Sequence, residues 1–119
     1  MSLDQIIERG NRTFDPARMR DPQPPNKIRC ADGFTLSVIA GEGAYSSPRP
    51  DRYGGLGDAP GDYPGPYHAV EVGFPSSRPE PWDRWVEYAE TPQDPTQTVY
   101  GYVPVPLVRD LVASHGGEA

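Results

Sequence analysis

The stretch KIRCADGFTLSVIA, residues 27–40, decides what kind of fold this chain builds. Asp32-Gly33 is a turn pair, because glycine takes the positive φ that a tight hairpin demands. Beyond it Phe34, Leu36 and Val38 alternate with Thr35, Ser37 and Ile39. That period of two is the mark of a strand with one buried face, so the stretch predicts an antiparallel hairpin. Working outward, two more segments carry strand signals. In YHAVEVGF (67–74), His68, Val70, Val72 and Phe74 share one face, and Tyr67, Ala69, Glu71 and Gly73 the other. In TVYGYV (98–103), Val99, Gly101 and Val103 oppose Tyr100 and Tyr102.

Helical spacing occupies the remaining apolar blocks. Ser2 can cap a short helix whose buried positions are Leu3, Ile6 and Ile7, with Gly10-Asn11 as its stop. In PEPWDRWVEYAE (79–90), Trp82, Trp85, Val86 and Ala89 recur at i, i+3, i+4 and i+7, which predicts a three-turn helix. Near the C-terminus Pro106 opens a helix, Leu107, Val108, Leu111 and Val112 form its stripe, and Gly116 closes it. The expected fold class is α+β, a small, mostly antiparallel β-sheet with short helices on one face and long Pro/Gly-rich loops. One domain is expected over 1–119: an N-terminal helix (1–11), an extended arm (12–26) and a core (27–117) with a long loop at 41–66. Covering one face of the sheet leaves the other free, and Thr35, Ser37, Glu71, Tyr100 and Tyr102 are expected there.

Composition narrows the function classes. A net charge of −6 argues against binding a nucleic-acid polymer, whose phosphates call for a basic face. Cys30 is the sole cysteine, which excludes an internal disulfide and suits a reducing compartment. No apolar run has membrane-spanning length, so a cytoplasmic location is expected. His68 and His115 lack metal-ligand spacing, and neither a metal nor a cofactor is expected. His68 reads as a core histidine, and His115 as a cation complementing the end of the last helix.

The loop GEGAYSSPRPDRYGGLGDAPGDYPGPY (41–67) holds seven Gly and five Pro, yet it also carries binding chemistry. GEGAY lacks the Gly-Lys-Ser/Thr of a phosphate loop and the third Gly of a dinucleotide fingerprint. Tyr45, Ser46, Ser47 and Arg49, by contrast, offer an aromatic face, hydroxyls and a guanidinium fork suited to phosphate, on an arm stiffened by Pro48 and Pro50. Glu71, Tyr100 and Tyr102 would meet that arm on the free sheet face. Arg109, beside the last helix's apolar stripe, completes the candidate set. The bland alternative is a solvated linker whose arginines serve solubility.

The segments NKIRCADGFTLSVIAGEGAYSSPR, YHAVEVGFPS and TVYGYVPVPLVRDLVASHGG resemble, across most of 26–117, the small phage-encoded Thoeris anti-defence family of the first type, or a sister phage family. The resemblance implies a non-catalytic sponge in the host cytoplasm. Such a protein binds a cyclic ADP-ribose isomer without degrading it and assembles as a homo-oligomer. It assigns no individual residue of this chain. Two other readings stand beside it. One is an acidic inhibitor that binds a host defence protein. The other is a nucleotide hydrolase using Glu71 as general acid or base, for which a lone carboxylate on a sheet face is weak support.

Overall fold

The computed structural model describes residues 2–13, 26–53, 55 and 57–119, so most of the expected arm, 14–25, lies outside the described residues. Four strands, β1 (Lys27–Arg29), β2 (Thr35–Ile39), β3 (Ala69–Gly73) and β4 (Val99–Pro104), form one sheet in the order β1-β2-β3-β4. Every neighbouring pair is antiparallel. Among the described residues, three short helices, α1 (Leu3–Arg9), α2 (Trp82–Trp85) and α3 (Val105–Ser114), complete an α+β fold.

The hairpin forms as its sequence dictates. Asp32 accepts the Phe34 amide at 2.9 Å, Gly33 takes φ 94°, and Ile28 pairs with Leu36. Ser2 caps α1 in a reciprocal box with Gln5. Gly10 ends that helix at φ 73°, where a Cβ would press on the Ala40 carbonyl and the Tyr67 ring. The buried faces of α1, α2 and α3 join a single core with Leu36, Val38, Val70, Val72 and Val103, so all three helices cover the same sheet face.

Several expectations about facing are corrected. Val70 pairs with Val103 but Val72 with Tyr100, so β4 carries one more residue than β3 between these pairs, a β-bulge at Gly101-Tyr102. The extra residue lets both Tyr100 and Val103 point into the core, while Tyr102 turns outward at φ 54°. Tyr100 is therefore not on the free face. Its ring meets Trp82 and Trp85 edge-on, and its hydroxyl donates to the Pro95 carbonyl at 2.6 Å. His68 is exposed rather than buried, because the strand starts only at Ala69. Phe74 leaves the apolar face of β3 at φ 49° and is 58% exposed. The three-turn helix over 79–90 is one α-turn followed by a 3-10 turn, Val86–Tyr88. Ala89 then bridges Tyr100 and the Glu90 amide donates to the Val99 carbonyl, so pairing with β4 takes over the backbone that a longer helix would have used.

Candidate functional site

The long loop is fastened at several points. Arg52 donates two hydrogen bonds to Glu42, whose side chain is 2% exposed, making a forked and mostly buried ion pair. The Asp51 carboxylate accepts amides from Tyr53, Gly55 and Gly57, which curls the loop about one side chain. Ser47 bridges Ala69, so the segment before it is laid across the ends of β3 and β4.

That crossing builds a cleft of about 470 Å³. The Tyr45 amide donates to Glu71 at 3.0 Å, and the Tyr45 carbonyl accepts the Tyr102 amide at 2.9 Å. Gly101 makes room for this: a Cβ there would lie 3.3 Å from the Tyr45 Cβ. The rings of Tyr45 and Tyr102 stand 5.8 Å apart at 43°, a tilted pair. Arg49 covers Tyr45 with its guanidinium 5.2 Å from the ring centroid, and its Nη1 reaches the Tyr102 hydroxyl at 3.4 Å. Glu87, Tyr88, Glu90 and Val99 close the opposite wall.

Four of the eight expected site residues thus converge: Tyr45, Arg49 and Tyr102 at the cleft, with Glu71 holding Tyr45 in place. Ser47 lies beside them, committed through its backbone to Ala69 and His68. Ser46 is fully buried. Its hydroxyl accepts from the Gly41 amide and donates to the Pro48 carbonyl, which makes it a brace for the loop. Tyr100 is in the core, and burial pushes its phenol up to about 12. Arg109 sits on α3 and pairs with Asp4 of α1 at 2.5 Å, away from the cleft.

Glu87, Tyr88 and Glu90 were not among the expected site residues. The carboxylates of 79–90 offered in sequence only an acidic surface for the inhibitor reading, and the 3-10 turn and the pairing of 89–90 with β4 bring them to the cleft. Chemically, the cleft offers flat aromatic surface, two carboxylates that accept from hydroxyl or amino groups, and one guanidinium at its edge. An aromatic heterocycle bearing a sugar and an anionic group would meet a complementary partner at each point. Among the described residues no cluster of three or more His, Cys, Asp or Glu is arranged to hold a metal ion, and no helix is long and apolar enough to cross a membrane. Comparison with protein-family models, with curated proteins and with solved structures finds no match for this chain.

Proposed function

We propose that the protein is a non-catalytic binder that sequesters a small cyclic nucleotide signal, of the cyclic ADP-ribose isomer class that the sequence resemblance implies. The observation that carries this reading is the meeting of Tyr45, Arg49 and Tyr102 around one cleft, although the loop and β4 are far apart in sequence. In this reading the base lies against Tyr45 and Tyr102, and Glu87 and Glu90 accept hydrogen bonds from ribose hydroxyls or an exocyclic amine. Arg49 meets the phosphate end. The two carboxylates favour that orientation by repelling phosphate from their wall. A single guanidinium is sparse for two phosphates, and a second copy of the chain supplying further donors would complete the site.

The test is a binding titration of wild type and Arg49→Ala against a panel of cyclic ADP-ribose isomers and cyclic oligonucleotides. Arg49→Ala is expected to lose at least tenfold in affinity with an unchanged melting temperature. Equal affinity in the variant would remove Arg49 from the site.

A second reading has its own observation. Residues 80–94 carry five carboxylates against Arg84, and all five acidic residues are exposed. Such a surface suits an acidic inhibitor docking on a basic protein. Its association would weaken steeply with salt, and indifference to salt would exclude it.

A further inference from the structure

Phe74 and Tyr102 are the two non-glycine residues with positive φ among the described residues, and both are exposed aromatics. Holding a bulky L-residue there is unfavourable, because the Cβ crowds the backbone, and such strain gathers where a side chain must be aimed. Tyr102 is aimed at the cleft. Phe74 is aimed elsewhere, at the rim of a separate hollow of about 710 Å³ on the free face of the sheet.

The chemistry of this second hollow is the reverse of the first. Its wall is built from Lys27, Thr35, Ser37, Ser76 and the amides of Asn26 and Gln97, and none of the described residues lining it is acidic. Lys27 pairs with Ser37 across β1–β2 and Arg29 with Thr35, so both cations of the edge strand project from this face. Neither makes an ion pair among the described residues. The Ser76 hydroxyl accepts the Thr35 amide at 3.0 Å, and the Ser76 amide donates back to the Thr35 carbonyl at 2.8 Å. These bonds fix the hydroxyl oxygen while leaving its proton to donate. The one carboxylate on this face of β3, Glu71, does not line the hollow and is engaged with the Tyr45 amide.

We propose that this hollow is a binding site for a sugar phosphate, distinct from the Tyr45–Tyr102 cleft. Lys27 and the hydroxyl and amide donors receive the phosphate, since an ammonium with several neutral donors is a common phosphate environment. The exposed Phe74 ring supplies the flat apolar plate that covers the C–H face of a sugar ring. In an acidic protein, a concavity without a lining carboxylate is where such an anion meets least repulsion.

The test is an NMR titration of the isotope-labelled protein with ribose 5-phosphate, glucose 6-phosphate, inorganic phosphate and glucose. Saturable shifts are expected at Lys27, Ser37 and Ser76 with either sugar phosphate, at least tenfold tighter than with phosphate or glucose alone. Lys27→Glu and Phe74→Gly should each weaken binding at least tenfold. Glycine takes φ 49° without strain, so Phe74→Gly removes the ring while its melting temperature stays level or rises. Arg49→Ala should leave sugar-phosphate binding intact, which separates this site from the cleft. Absence of saturable shifts, equal binding of inorganic phosphate, or unchanged affinity in both variants would overturn the proposal.

Discussion

At the scale of single residues, Tyr100 and Tyr102 show how one inserted position divides two similar side chains. Tyr100 is sealed among Trp82 and Trp85, and its phenol is raised to about 12 because burial penalises the anion. An unfolded tyrosine releases its proton near pH 10, so between these values the unfolded chain holds fewer protons and stability falls as pH rises. A spectrophotometric titration should therefore show the Tyr100 phenol ionising together with unfolding, a step that Tyr100→Phe removes. Tyr102 behaves oppositely. Tyr102→Gly relieves the left-handed backbone, so its melting temperature should hold or rise while nucleotide affinity falls at least tenfold. Loss of folding in that variant would contradict the assigned strain. At the C-terminal end, His115 stacks on Phe34 with centroids 3.9 Å apart and places Nδ1 2.7 Å from Asp32. The Asp32 carboxyl is held below its ordinary 3.8 by the Phe34 amide first and by His115 second. A depressed carboxyl contributes stability above that ordinary value and loses it as the pH falls through its lower folded value. The Phe34 amide resonance should report this acid step, and Asp32→Ala should abolish it.

Elements extend the same logic. The hairpin, α1 and α3 were legible in the sequence because their signals are local: a turn pair, a capping box, a proline opening and a glycine close. The helix α3 buries Leu107, Val108, Leu111 and Val112 as its spacing requires. Leu111→Ala should cost about 2–5 kcal/mol in a denaturant melt, the range for truncating a buried leucine. What alternation could not show was the bulge in β4, since a period of two assumes that no residue is inserted. Gly101, a glycine inside a strand pattern, was the available signal. The length of α2 was hidden for a different reason. Backbone pairing of Ala89 and Glu90 with β4 is a tertiary event and overrides helical spacing. Gly101→Ala tests how the cleft depends on the bulge. A methyl 3.3 Å from the Tyr45 Cβ must push the loop outward by a few tenths of an ångström. Nucleotide affinity should fall several-fold with little change in stability, whereas unchanged affinity would mean that Tyr45 need not lie close to β4.

For the whole molecule, the long loop now has a physical reason. Glu42, Asp51 and Arg52 fasten it, Ser46 braces it, and Tyr45 and Arg49 are delivered to a sheet edge that alone offers only Tyr102. The aromatic, hydroxyl and guanidinium groups that the proposed binding uses were legible in this loop, and the free sheet face was legible through Thr35, Ser37 and Glu71. The acidic wall was not, because its residues become neighbours of Tyr45 only in the folded chain. Two hollows of opposite character result on the free sheet face, one aromatic with a carboxylate wall and one hydroxyl-rich and cationic, with Gly73 of β3 between Val99 of the first and Ser37 of the second.

The most direct measurement is recovery of the ligand after binding. The protein is incubated with the panel of cyclic ADP-ribose isomers and cyclic oligonucleotides, separated from free nucleotide and denatured, and the released material is weighed by mass spectrometry. Sequestration without turnover predicts saturable binding and a released nucleotide of unchanged mass. A released product of altered mass, or no binding by any member of the panel, would contradict it.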